Sequence, residues 1–212
     1  MKDFPVFSTQ YGVASLTLKQ IPYTGRAYIT IQDSADPDAL LKHCCDFCQA
    51  VGAETVFASG HSCLESYPLH TKIVLMRCQR ELLEDTDAAL FPVQKKTLEQ
   101  FRGIYNGAMK DIANAAYMTA ADSEKVLTEG NGYFIHRDHE LLGIGIAGGE
   151  RINAIVSLVS GCGRDVLLAL NRALSGDCAE VEVATANIRA VRFYEKLGFV
   201  RCREISRWYK II

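Results

Sequence analysis

The chain has 212 residues, 49% of them hydrophobic and 23% charged, with a formal net charge of −2. That content suffices for a packed core in one large or two small domains, and the near-neutral charge leaves no basic field for non-specific binding to nucleic acid. No apolar run is long enough to span a bilayer and the segment Met1-Lys2-Asp3-Phe4-Pro5 has no apolar leader core, so a cytoplasmic protein without membrane contact is expected, its eight cysteines reduced.

Residues 12–18 and 26–32 alternate in polarity as strands do, with Tyr23-Thr24-Gly25 reading as the turn of a hairpin. Asp36 as N-cap, Pro37 at the first helical position and Gly52 past the end then mark a helix whose apolar stripe is Leu41, Cys44, Cys45, Cys48 and Val51. His43, Cys44, Cys45 and Cys48, with His61 and Cys63 further on, contain a C-x-x-C and a His-x-Cys. That spacing is not a common one for structural zinc, and the stripe accounts for the thiols, so no metal is expected. A strand over 54–58, a polar stretch containing Pro68 and an apolar run over 72–77 complete the first third as α/β.

From Thr97 the pattern changes to a long helix, opened by Thr97-Leu98-Glu99-Gln100 as a capping box and carrying Leu98, Phe101, Tyr105, Met109 and Ile112 on one face. A short helix over 123–128 follows. Strands over 132–136 and 141–147 turn at Arg137-Asp138-His139, and Gly148-Gly149 leads into a third run over 152–160. Gly161-Cys162-Gly163-Arg164 then opens a helix. After it, Ala179-Glu180-Val181-Glu182-Val183-Ala184 alternates as a strand, placing both carboxylates on the face opposite the valines. A strand covered on both faces would not carry them cheaply, so that face is expected to open on a cleft, with Glu182 the first candidate for a general base and Glu140, His136 and His139 as alternatives. Finally, Asn187 is an N-cap, Lys196 suits the last turn and Gly198 the left-handed position beyond it, so a short helix has both ends written in sequence.

The segment Asn187-Ile188-Arg189-Ala190-Val191-Arg192-Phe193-Tyr194-Glu195-Lys196-Leu197-Gly198-Phe199 resembles the C-terminal motif of the GNAT acyltransferases, an apolar strand followed by N-x-x-A-x-x-F-Y-x-K-x-G-F. The element order over 91–212 agrees with that family. The resemblance implies an α/β fold with a mixed, mostly antiparallel sheet flanked by helices, and direct transfer of acetyl from acetyl-CoA to a primary amine of a small molecule or protein. Tyr194 then stands where the family keeps the acid that protonates the departing thiolate. Gly161, Cys162, Gly163 and Arg164 resemble a reduced version of the family's diphosphate loop, R/Q-x-x-G-x-G/A, with Leu158 where Arg or Gln is usual. Leu158, Val159 and Ser160 match the strand end that pairs with the pantetheine arm, and Asn187 and Tyr194 complete the implied cofactor contacts.

An echo links the two ends of the chain: Ala53-Glu54 and Ala58 match Ala179-Glu180 and Ala184, and Met76-Arg77-Cys78 resembles Val200-Arg201-Cys202. The expected organisation is therefore an N-terminal α/β region over 1–90, related to half of the fold but without a G-x-G loop, and an acyltransferase domain over 91–212. The rival expectation is a GNAT-like CoA-binding or protein-interaction module without turnover. Edge strands leave a homodimer possible.

Overall fold

The computed structural model describes residues 5–212. Its contacts divide the chain into one unit that runs to Ile73 and takes in Glu204–Ile212, and another of Val74–Arg203.

The first unit is built from β1 (Val6–Thr9), β2 (Gly12–Thr17), the one-turn helix α1 (Ile21–Thr24), β3 (Arg26–Ser34), α2 (Pro37–Ala50), β4 (Thr55–Ser59) and the start of β5 (Leu69–Gln79). Strands β1, β2 and β3 are antiparallel neighbours, and β4 adds to β3 in parallel, in register from Arg26↔Thr55 to Thr30↔Ser59. The expected hairpin is present, but its connection is α1 closed by Gly25 at φ 65, because three residues are too few to reverse the chain where Leu18 to Gln20 also leave the strand. Helix α2 starts as its sequence says, with the Asp36 carboxylate accepting the Ala39 N–H at 3.1 Å. Leu40, Leu41, Cys44, Cys45 and Cys48 pack against Ala14, Leu16, Ile29 and Val56, whereas Val51 lies past the helix end and is exposed. Burial pushes the thiols of Cys44 and Cys45 up to about 12 and that of Cys48 to about 11. These are core residues held as neutral thiols.

The second unit contains β6 (Ala89–Pro92), α3 (Leu98–Met109), α4 (Ala120–Glu129), β7 (Gly132–Arg137), β8 (Glu140–Gly148), β9 (Arg151–Ser157), α5 (Gly163–Asn171), β10 (Cys178–Ala184), α6 (Ile188–Lys196) and the start of β11 (Val200–Lys210), whose end pairs with β4 in the first unit. Its strand order is β5-β10-β9-β8-β7-β6, antiparallel from β6 through β9 and parallel between β9 and β10. Helices α3 and α4 cover Phe134, Ile144, Ile146 and Val156 on one face, while α5 and α6 cover Ile135, Leu142, Val181 and Val183 on the other. Strand, two helices, three antiparallel strands, helix, strand, helix, strand is the expected order.

Two local readings need correction. Thr97 does not cap α3 with its side chain; its hydroxyl bonds back to the main chain of Gln94, so the chain enters α3 through a 3-10 turn, and Ile112 falls beyond the helix end. The capping box of this region belongs to α4, where Thr119 and Asp122 exchange hydrogen bonds, and the helix starts three residues earlier than the apolar pattern indicates.

Each unit repeats one plan, an antiparallel meander feeding a helix that crosses to a parallel strand: β1-β2-β3-α2-β4 and β7-β8-β9-α5-β10. The sequence echo falls on β4 and β10. Where the second unit continues into α6, the first has only a 3-10 turn at Ser62–Ser66, capped by His61 Nδ1 accepting from the Cys63 N–H, and Pro68 follows.

Candidate active site

Strands β9 and β10 touch as a ladder only at Arg151↔Glu180 and Ile152↔Val181 and run on without pairing. Within β9 the register to β8 shifts, Ile146 facing Ala154 and Ala147 facing Ile152, so Asn153 is an extra residue without a partner. The bulge reverses which face the strand presents: Ile152 packs with α5, Ala154 and Val156 with α3 and α4. Two parallel strands that part beside a bulge leave main-chain N–H and C=O groups available to a ligand laid between them. The bulge lies at Asn153 and β9 ends at Ser157, so Leu158, Val159 and Ser160 are loop and not the strand end assumed from sequence.

That loop is short and braced. The Ser157 hydroxyl donates to Val159 O at 2.8 Å, the Leu158 N–H to Leu142 O at 2.8 Å and the Cys162 N–H to Val159 O at 3.2 Å, with Gly161 at φ 87 making the turn. Cys162 is the N-cap of α5 and sets no side-chain hydrogen bond on its first turn, so the helix start is free to receive an anion from outside. A Cβ on Gly161 would meet nothing within 4 Å, which marks open space over the loop. Arg164 is turned away to an ion pair with Glu84. A different cation stands here: Arg137 pairs with Asp165 at 3.2 Å, and its Nη2 lies 3.8 Å from Cys162 Sγ, which offsets the acidic residue in the first turn of α5. Sequence reasoning missed Arg137 because it sits in a hairpin more than twenty residues before the loop.

Helix α6 is capped as its sequence states, Asn187 Oδ1 accepting the Ala190 N–H at 3.1 Å, so the Asn187 side chain serves its own helix. Val191 is buried, and Ala190, Phe193, Tyr194 and Leu197 pack onto the core formed by Val181 and Val183. Tyr194 lies between Phe193 and Phe199, ring centroids 5.3 and 5.6 Å away. Among the described residues none is a hydrogen-bond partner of its hydroxyl. Burial pushes the phenol up to about 12, so at neutral pH it is a protonated donor.

Glu180 and Glu182 share one face, as the alternation requires, and they line a cleft of about 100 Å³ with Leu75, Arg151, Ile152, Asn153 and Val181. Glu180 is nearly buried and accepts from Arg77 Nε at 3.0 Å through Oε1, while Arg151 Nε approaches its Oε2 at 3.5 Å. The Arg77 hydrogen bond holds the Glu180 carboxyl below the usual carboxylate range. Glu182 is open to solvent and accepts from Arg151 Nη1 at 2.9 Å. It therefore stands at the mouth of the cleft in an ion pair with Arg151. His139 and Glu140 are exposed in the β7–β8 turn, and His136 packs edge-on against Phe91 at 5.3 Å; the structure brings none of the three to this cleft. No group of His, Cys, Asp and Glu among the described residues is arranged to hold a metal, and no helix among them is long and apolar enough to cross a membrane.

Comparison by fold places the chain beside solved acetyltransferases. A functionally unknown conserved protein of Staphylococcus epidermidis matches over 99% of this chain and 94% of its own, at 11% identity and a TM-score of 0.63. A GNAT-family acetyltransferase from Colwellia psychrerythraea matches over 98% and 84%, at 11% identity and a TM-score of 0.51. A tandem GNAT protein from the clavulanic acid biosynthesis pathway matches over 94% and 78%, at 12% identity and a TM-score of 0.53. No family model and no curated protein matches in sequence. The fold is thus that of the GNAT acyltransferases, and several structures that share it are acetyltransferases.

Proposed function

We propose that the chain is an acetyl-CoA-dependent N-acetyltransferase, its chemistry carried by residues 91–212, acting on a primary amine of a small molecule or peptide. The observation that carries this reading is the parting of β9 from β10 beside the Asn153 bulge, with an uncapped helix start at the far end of the strand. From Asn153 to Leu158 is five strand residues, roughly 16 Å, a reach comparable to an extended pantetheine arm. The residues present fit the cosubstrate: the start of α5 receives the diphosphate, and the free edges of β9 and β10 bond the amides of the arm.

Bound there, acetyl-CoA supplies an activated acyl carbon, to which the amine nitrogen bonds as the carbon–sulfur bond breaks. Tyr194 gives the leaving thiolate its proton. Its ring packs against the cluster that contains Val181 and Val183 of β10, the strand that parts from β9. The amine's proton passes to water at the mouth of the cleft, beside Glu182, which is paired with Arg151.

Release of free CoA from acetyl-CoA in the presence of an amine panel tests the reading. Tyr194→Phe should lower the turnover rate about 100-fold or more, the usual contribution of a general acid, with acetyl-CoA affinity measured by calorimetry unchanged. Equal rates in mutant and wild type would remove Tyr194 from the chemistry. Calorimetric binding without CoA release for any amine would favour a CoA-binding module of the same fold.

A further inference from the structure

We infer that the cleft over β9, β10 and β5 takes an acceptor that carries a carboxylate beside the amine to be acylated, the chemistry of a free amino acid. This deepens the acyl-transfer reading and rests on it.

The argument is one of valence. A guanidinium has five N–H donors in a planar fork. Arg77 spends its on one oxygen of Glu180, through Nε and Nη2, and Arg151 spends Nε toward the other oxygen and Nη1 on Glu182. Both oxygens of the nearly buried Glu180 are thereby taken, while each guanidinium keeps N–H groups that the cluster does not use. The two arginine side chains are 46% and 47% exposed, against 9% for Glu180, so those donors face the open side. Glu180 acts as a post that fixes two forks, and two fixed forks suit a carboxylate. Glu182 accepts from Arg151 through Oε1, and its side chain is 40% exposed. Oε2 is left for an ammonium.

Direction along the strand decides which end of the ligand goes where. Glu182 lies two residues past Glu180 on β10, roughly 7 Å toward the opening between the strands, so the amine faces the acyl carbon and the carboxylate lies behind it. The Arg151–Glu182 pair is exposed and weak. A zwitterion that enters between them replaces one pair by two, whereas an amine without a carboxylate leaves the guanidiniums unanswered, and the N-terminus of a peptide has only an amide at that position. The product is an N-acetyl amino acid: the C–N bond forms and the C–S bond breaks, the ammonium gives one proton to water before attack, the thiolate takes one from Tyr194, and the second proton on nitrogen restores the Tyr194 phenol.

The test compares lysine with cadaverine and phenylalanine with phenethylamine, each acid and its decarboxylated amine, by ligand-observed NMR binding to the full chain without acetyl-CoA and by kcat/KM with it. The wild type should prefer the acids by at least about tenfold, and Arg151→Gln should cut the preference to about twofold or less while acetyl-CoA affinity and Tm hold. Arg77→Lys, which keeps the charge on Glu180, should lose part of the preference with the fold intact. Equal use of acid and amine, a preference that survives Arg151→Gln, or no amine binding at millimolar concentration would overturn the inference. Carboxylate-dependent binding without acetyl-CoA binding would overturn the transfer reading instead and leave an amino-acid site.

Discussion

Tyr194 is a donor by virtue of where its ring is packed. Its folded pKa of about 12 lies above the ordinary 10.0, so burial favours the neutral phenol; the stability linked to this is complete below pH 10 and is lost as pH rises through the folded value. The rate should therefore show no alkaline loss from this residue between pH 8 and about 10, with the decline displaced upward; a Tyr194-dependent fall in the kcat profile centred at or below about pH 10 would contradict the role. The cysteines divide by the same logic. Cys44, Cys45 and Cys48 are buried, while Cys202 is exposed, so a disulfide-exchange reagent followed by mass mapping should label Cys202 first and those three only on unfolding. The identities of Tyr194, Glu180 and Glu182 were legible in sequence, since a motif and a period of two suffice to find them. Arg77 and Arg151 were not. They reach Glu180 from other strands, and strand pairing across such separations leaves no local signal.

Helix α6 and strand β9 mark the limits of what an element declares about itself. The caps of α6 are local chemistry, and Asn187 and Gly198, the latter at φ 88, stand where the sequence places them. Asn187→Ala should cost about 1 kcal/mol, read as a lower denaturant midpoint at unchanged slope; no change would mean that packing of Val191 and Tyr194 alone holds the helix. The bulge at Asn153 is different. Ile152-Asn153-Ala154-Ile155 reads as any strand with one polar residue, and the extra residue appears only against the register of β8, while the strand that the sequence carries on to Ser160 ends at Ser157. Gly161 turns the chain and Gly163 begins α5 as the sequence indicates, but the cation beside them is Arg137 and not Arg164, because a surface side chain chooses its partner in space.

At the scale of the whole molecule, the two units repeat one plan of meander, helix and parallel strand, and they differ in the ladder that follows it. Between β3 and β4 the parallel ladder stays closed through five residue pairs, from Arg26↔Thr55 to Thr30↔Ser59, where β9 and β10 part after two. The helix start that follows β3 is filled by the Asp36 carboxylate and by Pro37, which offers no N–H. Both features exclude a diphosphate and an inserted arm from the first unit. A few matched residues pointed to the repeated plan, but the difference in strand separation is a property of the ladder and could not be read from them.

Hydrogen exchange of the full chain with and without saturating acetyl-CoA tests the central claim most directly. The account predicts slowed exchange over residues 153–165 and at the end of β10, with no change over 33–40 in the first unit. No protection in the second unit, or protection at the start of α2 instead, would contradict it.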